Sequence, residues 1–185
     1  MGKTIVVGDG PGGLSAAIYL AKNEHEVVVY GQDQTAMHYA LLNNYLGIEQ
    51  IPGSDLQAIG RRQVEGFGGQ IIDARVEKVT AGDEGFTVEL EDGAADSADY
   101  LILTEGRAPD LAHTLGVALD ETGAIVTDGD GRSSIDRVYV VGRSVRPRRS
   151  QAIISAGAGA AAALDVLSRE AGKDVQDWDS PPKDE

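Results

Sequence analysis

The chain contains no cysteine among its 185 residues. Without thiols, this sequence can form no disulfide, redox dithiol or thiolate metal site of its own. Its three histidines, His25, His38 and His113, stand far apart, and neither a metal-ligand spacing nor a Ser–His–Asp arrangement is present. We therefore expect no metal site, and the sequence assigns no catalytic residue. Aromatic residues are also few, at 5%, so the core must be mostly aliphatic.

Long apolar runs are missing as well. The stretch 156–167 is rich in small apolar residues, but it is shorter than the roughly 20 residues that a membrane-spanning helix requires. The first three residues lead directly into a short apolar strand, without the features of a secretory signal. We therefore expect a soluble, cytoplasmic protein that does not enter a membrane.

Positive charge is scarce, because 16 basic residues stand against 30 acidic ones and give a net charge of -14. This balance argues against nucleic acid as a general partner. The acidic residues are spread along the whole chain, which favours adaptation to a salt-rich cytoplasm. Molar salt shortens the Debye length to about 3 Å and screens the repulsion among carboxylates. The alternative is an acidic protein of an ordinary, mesophilic cytoplasm.

Glycine, by contrast, is abundant, with 24 residues. The run Gly8-Asp9-Gly10-Pro11-Gly12-Gly13 fits the pattern G-x-G-x-x-G. It lies between an apolar run at 4–7, typical of a buried strand, and residues 13–22, whose apolar positions recur at helical spacing. A second strand is predicted at 27–30. Strand, helix and strand in about 30 residues form a βαβ unit, which is the context that dinucleotide binding requires.

Each glycine of the motif has a separate predicted role. Gly8 permits the tight turn, Gly10 lets a pyrophosphate approach the backbone, and Gly13 lets the helix pack closely on the strand. The alternative is a tight strand-to-helix turn without a ligand. The acidic residue that usually ends the second strand is missing, because Tyr30 and Gly31 occupy that place. Asp33, just beyond, is a weak candidate for binding a ribose.

The remaining pattern alternates helices and strands. Ser54 is predicted to cap a helix to about residue 67, which Gly68-Gly69 ends, and Ser150 is predicted to cap a long helix to about residue 170. The predicted strands are 70–72, then 75–80, 85–91 and 98–103 as an antiparallel meander, then 124–127 and 137–141. We expect one domain over residues 1–170 and an acidic, disordered tail over 171–185.

Several segments together resemble the FAD domain of the thioredoxin-reductase-like flavoproteins, within the pyridine nucleotide-disulfide oxidoreductases. Residues 8–21 resemble the opening motif of that family, and Asn44-Tyr45-Leu46-Gly47 resembles its N-[WY]-P-G segment, with leucine in place of proline. The further similar segments are 69–72, 76–79, 100–106, 138–142, 151–152 and 155–157. The resemblance implies an α/β fold, namely a Rossmann-like FAD-binding domain with a parallel sheet, flanking helices and an antiparallel β-meander.

The resemblance also implies FAD as the cofactor. The positions that match the family's binding segments are Gly8, Gly10, Pro11, Gly12, Gly13, Tyr30, Gly31, Asn44, Val76, Thr104, Gly106, Gly142, Arg143, Gln151 and Ala152.

The sequence departs from the family pattern in three places. The family inserts an NAD(P)H domain after the strand that resembles residues 100–106, whereas residues 106–110 here run directly into the second half of the FAD domain. The family's dithiol lies in that inserted domain. The closing Gly-Asp of the family is here Gly142-Arg143, and arginine cannot accept the hydrogen bond that the aspartate accepts from the ribityl chain.

Arg143 leaves two alternatives open. Its side chain either turns aside, which the flavin-facing segment at 151–157 slightly favours, or points inward and pairs with a phosphate or another anion. Arg146, Arg148 and Arg149 follow closely. This arginine cluster either binds an anion or an acidic partner, or forms a solvated loop paired with local carboxylates.

These observations favour a minimal, redox-active FAD-binding flavoprotein that exchanges electrons with a separate donor or acceptor, either a protein or a small molecule. The alternative is a nucleotide-binding sensor or assembly module that kept the fold without catalysis. A homodimer is compatible with the sequence, which does not give the oligomeric state.

The acidic composition generates a testable prediction. Salt should stabilise the protein, because screening relieves repulsion among the carboxylates of the compact state. Thermal melts in low and in multimolar KCl measure this effect, and we expect a higher melting temperature in high salt. Equal melting temperatures would contradict adaptation to a salt-rich cytoplasm.

Overall fold

The computed structural model describes residues 2–180, so the end of the predicted tail, residues 181–185, lies outside the described part. The strands, in chain order, are β1 (Lys3–Val7), β2 (Glu26–Tyr30), β3 (Leu41–Leu42), β4 (Ile51–Pro52), β5 (Gln70–Ile72), β6 (Val76–Ala81), β7 (Phe86–Leu90), β8 (Ala95–Ala98), β9 (Tyr100–Leu103) and β10 (Val138–Val140). The helices are α1 (Pro11–Lys22), α2 (Gly53–Gly66), α3 (Asp110–Leu115) and α4 (Ala152–Ala171).

Five parallel strands form the main sheet, in the order β10-β9-β1-β2-β5. Strand β1 lies at its centre, and its residues from Thr4 to Val7 are all buried. Apolar runs buried on both faces are typical of parallel strands covered by helices. The predicted βαβ unit is thus confirmed as β1, α1 and β2, and so is the α/β fold with flanking helices.

The antiparallel meander is also present, but the predicted third strand is wrong. The meander consists of β6, β7 and β8, whereas residues 100–103 form β9 in the main sheet. All four residues of β9 are buried, which suits a central parallel strand and not a meander with one exposed face. The chain passes from β8 to β9 at Asp99, whose carboxylate accepts a hydrogen bond from the Lys3 backbone N–H at 2.7 Å.

Three further local predictions are corrected. Residues 124–127 form no strand, because only Ile125 pairs, in an isolated bridge with Leu119. Helix α2 begins at Gly53 with Pro52 as its N-cap residue, so Ser54 is not the cap. Helix α4 has Gln151 and not Ser150 as its N-cap, and neither helix start has a side-chain capping bond.

Helix α4 packs against α1 so closely that only glycine fits at the crossing. A Cβ atom at Gly159 would lie well under 3.0 Å from the backbone oxygen of Gly12. Ala162 and Ala163, one turn further on, are fully buried. By length and composition α4 could cross a membrane, since it has 20 residues and contains an 18-residue stretch with a mean hydropathy of 1.3. Its packing on α1 identifies it instead as a core helix of the α/β fold.

Residues after α4 fold back toward the end of α1. The chain leaves α4 at Gly172, which has a positive φ of 64°. Lys22 Nζ then donates to Asp177 at 2.9 Å and to Asp179 at 2.7 Å. Val175 is partly buried against the core, whereas Trp178 is 84% exposed.

The α1–α4 crossing generates a prediction with an internal control. Gly159→Ala should destabilise the protein by about 1–3 kcal/mol or more, because the added methyl group cannot fit without moving a helix. Gly157, in the same helix, has no atom within 4 Å of an added Cβ. Gly157→Ala should therefore stabilise by about 0.5–1 kcal/mol. Urea unfolding measures both, and equal free energies of unfolding would contradict the packing described.

Candidate functional site

A cleft of about 820 Å³ opens at the carboxyl ends of β1, β2 and β9. Ligand sites of proteins measure roughly 300–1,000 Å³. In open α/β sheets they lie outside the carboxyl ends of the strands, at the place where successive connections leave in opposite directions. Here β2 lies on one side of β1 and β9 on the other. The position and the size of the cleft therefore both indicate a ligand-binding site.

Two glycines of the phosphate-binding turn, Gly8 and Gly13, are required by close backbone packing, and a third, Gly12, is tightly packed. Gly8 has a φ of +102°, and a Cβ atom there would lie 2.5 Å from the backbone oxygen of Thr104. At Gly13, a Cβ would lie well under 3.0 Å from the Gly8 oxygen, and at Gly12 it would lie 3.3 Å from the Ser155 oxygen. These contacts hold the start of α1 against the strand ends.

Gly10 differs from the other glycines of the turn. It is the N-cap residue of α1, its φ is an ordinary -70°, and nothing lies within 4 Å of an added Cβ. Packing therefore does not require glycine at this position. Gly10 lines the cleft, and the first N–H groups of a helix have no intrahelical partner. The open space at Gly10 fits a pyrophosphate at the positive end of α1.

The structure brings most of the residues that the sequence singled out into this one cleft. Those that line it are Gly8, Gly10, Pro11, Gly12, Tyr30, Gly31, Val76, Thr104, Gly106, Gly142, Arg143 and Ala152. Gly13, Asn44 and Gln151 do not line it. Gly13 packs behind the turn, and Asn44 Nδ2 donates to Gln151 Oε1 at 3.1 Å, which joins two loops beside the cleft.

Sequence reasoning missed Asp9, the second residue of the glycine motif. Its side chain is 3% exposed and forms an ion pair with Arg61 of α2. The backbone N–H of Asp33 donates to Asp9 Oδ2 at 3.0 Å. A Cβ at Gly31 would lie well under 3.0 Å from the Asp9 carboxylate carbon. An acidic residue inside a phosphate-binding motif is the sequence feature that could have drawn attention to Asp9. Its ion pair, however, depends on a helix that is distant in sequence.

Glu105 is a second missed residue of the cleft wall. Its two carboxylate oxygens accept hydrogen bonds from the backbone N–H groups of Leu111, at 2.7 Å, and Ala112, at 3.0 Å. The carboxylate thus caps α3, where the helix dipole favours negative charge. Burial raises the pKa of Glu105 above its ordinary value. Residues 110–115 show no periodicity from which this short helix could be predicted.

The four arginines of the cluster differ in their surroundings. Arg143 lines the cleft, and its Nε atom is buried without a hydrogen-bond partner among the described residues. Arg146, Arg148 and Arg149 are exposed, and within residues 2–180 none of the four forms an ion pair. This arrangement favours the alternative in which Arg143 points inward over the one in which it turns aside. It also shows that local carboxylates do not neutralise the loop.

His38 lies at the edge of the loop after β2. Its Nε2 atom contacts the Asp33 side chain at 3.1 Å and the Asp33 carbonyl oxygen at 2.6 Å, and these hydrogen bonds raise its pKa. It does not line the cleft. Across the part of the chain that the structure describes, no group of three His, Asp or Glu residues could hold a metal ion.

Comparison with known proteins identifies the family. The family described as pyridine nucleotide-disulphide oxidoreductase matches residues 2–65 and 53–160. The chain belongs to this family. A thioredoxin reductase of Rickettsia bellii is 29% identical over 123 residues, which are 64% of this chain and 39% of that protein. The match therefore spans about two fifths of the length of this curated relative.

Solved structures show the same fold. A thioredoxin reductase from Gloeobacter violaceus superposes with a TM-score of 0.85 and 16% identity, over 97% of this chain and 99% of that chain. The atypical thioredoxin reductase TRi from Desulfovibrio vulgaris Hildenborough gives a TM-score of 0.82 and 20% identity, over 91% and 97% of the two chains. The resemblance to the FAD domain of thioredoxin-reductase-like proteins is thus confirmed. Between β9 and α3, however, residues 104–109 alone connect the two halves of the domain.

Proposed function

We propose that this chain binds FAD in the cleft and acts as a redox-active flavoprotein domain. The observation that carries the proposal is the open space at Gly10, at the N-terminus of a helix in a cleft of suitable size. Members of this family are generally flavoproteins. A bound flavin would supply the electron-transfer chemistry. The residues of this chain supply binding, orientation and charge.

Two parts of the cleft suit two parts of the cofactor, the pyrophosphate and the flavin ring. The start of α1, at Gly10 and Gly12, would hold the pyrophosphate through free N–H groups and the helix dipole. The start of α4 borders the same cleft through Ala152 and Ser155. A flavin ring beside that helix start would meet positive potential, which favours its anionic reduced form.

In this proposal the flavin exchanges electrons with a separate donor or acceptor. This sequence has no cysteine for dithiol chemistry, and no nicotinamide-binding domain is inserted between β9 and α3. The exposed, unpaired arginines of the loop before α4 favour a negatively charged protein or small molecule. A cytoplasmic location and a homodimer remain part of the proposal.

A second function is a nucleotide-binding sensor or assembly module without redox activity. It is favoured by Arg143, which stands in the cleft where the family has an aspartate that accepts a hydrogen bond from the ribityl chain. The colour of the purified protein separates the two functions. A yellow protein that absorbs at about 450 nm supports the flavoprotein, and a colourless protein that binds nucleotides supports the sensor.

Gly10→Val tests the place of the pyrophosphate. The valine side chain would fill the space at the start of α1, so we expect a folded protein without flavin. Folding should suffer little, since no atom lies within 4 Å of the added Cβ and a poor N-cap residue costs about 1 kcal/mol. Flavin absorbance and a thermal melt measure both properties. A folded variant with undiminished flavin would show that the ligand lies elsewhere.

Arg143→Asp tests whether Arg143 faces the ligand. We expect at least about tenfold weaker FAD binding, since a cation in the cleft would be replaced by an anion near a ligand that carries two phosphates. Arg148→Asp makes the same charge change at an exposed position and should leave binding within about threefold. Flavin fluorescence titration measures the dissociation constants. Tighter binding by Arg143→Asp would indicate that the arginine turns aside and that aspartate restores the family's ribityl contact.

A further inference from the structure

A buried negative charge lies inside the phosphate-binding turn. Asp9 stands between Gly8 and Gly10 and is 2% exposed. Like charges repel strongly where water is excluded, so an uncompensated carboxylate here would oppose the binding of a pyrophosphate at the same turn. The turn therefore needs a group that cancels the charge of Asp9.

Helix α2 provides that group. Arg61 Nη1 forms an ion pair with Asp9 Oδ2, and the Arg61 side chain is 19% exposed. One turn earlier on the same face of α2, Gln57 donates its Nε2 to the backbone carbonyl oxygen of Asp9 and is 2% exposed. Two side chains of α2 thus hold the turn from behind, one through the charge of Asp9 and one through its backbone.

Asp9 is the buried partner of Arg61. The other ion-pair partner is Asp73, at 2.6 Å, whose side chain is 71% exposed and therefore screened by water. Removing one member of a buried ion pair leaves an uncompensated charge, which is far more unfavourable than the loss of an exposed pair. The loss of Arg61 would therefore act mainly through Asp9.

The same carboxylate explains the missing acidic residue at the end of β2. A side chain at residue 31 has no room, because its Cβ would lie well under 3.0 Å from Asp9 Cγ and 2.6 Å from Asp9 Oδ1. The negative charge at this corner of the cleft comes from the turn and not from the strand. The Asp9 carboxylate directly adjoins the phosphate-binding backbone. A carboxylate at the end of the second strand, which is the usual arrangement, lies further along at the ribose.

We propose that Arg61 is a positioning residue for the dinucleotide: it neutralises Asp9 within the turn and so permits the pyrophosphate to lie at the start of α1. This inference rests on the proposed function and adds a residue that does not touch the ligand. The competing role for Asp9 is that of a ribose acceptor, in which its charge assists binding.

A double-mutant cycle on the full chain, freed of bound flavin and titrated with FAD, tests the proposal. Arg61→Met should raise the dissociation constant about 10- to 100-fold, because the Asp9 charge then faces the pyrophosphate unopposed. The double variant Asp9→Asn with Arg61→Met should return to within about threefold of the wild type, since no buried charge remains. Arg61→Lys, which keeps the charge, should retain most of the affinity.

Arg62→Met is the matched control, because Arg62 is the next residue of α2 and is exposed. It removes the same charge and should change the affinity less than about twofold. Thermal melts show whether each variant is folded. Should Arg61→Met not fold, Asp9→Asn alone decides: the proposal requires FAD binding at least as tight as that of the wild type.

Three results would overturn the proposal. They are an unchanged affinity in Arg61→Met, a double variant no better than Arg61→Met, and a large loss of affinity in Asp9→Asn, which would make Asp9 the ribose acceptor. FAD and ADP binding by the wild type distinguishes failure of the Arg61 proposal from failure of the proposed function. A wild type that binds neither FAD nor ADP contradicts both, whereas wild-type binding with any of the three results contradicts only the role of Arg61.

Discussion

The close approach of three backbone segments at the start of α1 is the constraint on which the site depends. Gly13 brings α1 against the turn at Gly8, Gly8 approaches the end of β9, and Gly159 lets α4 cross over Gly12. A side chain at any of these glycines would separate the segments. Because they meet, the N-termini of α1 and α4 open onto the same cleft, and both helix dipoles direct positive potential into it.

Local periodicity predicted those helices and strands whose structure is determined by their own residues. The βαβ unit at 4–30 follows from apolar spacing and glycine punctuation alone. The sequence from Ala98 onward shows no break, so it places residues 98–103 in the meander. Only the parallel pairing with β1 and β10 reveals that β9 belongs to the main sheet. The boundary at Asp99 depends on a hydrogen bond to Lys3, which is remote in sequence.

The sequence predicted the parts of the candidate site that the backbone forms. The motif glycines and the segments that resemble the flavoprotein family converge on one cleft. Side chains whose role depends on distant partners were not predictable in this way. The ion-pair partner of Asp9 is Arg61 of α2, which lies 52 residues away in the sequence. Glu105 caps a helix too short to show a periodicity. The buried Nε of Arg143 likewise depends on packing that the sequence does not show.

We propose that FAD occupies the cleft at the start of α1. Native mass spectrometry of the protein as purified, followed by identification of the small molecule released on denaturation, tests this claim most directly. We expect one FAD molecule per chain, held without a covalent bond and released when the protein unfolds. A folded protein that carries a different nucleotide, or that takes up no FAD even when FAD is supplied in excess, would contradict the account.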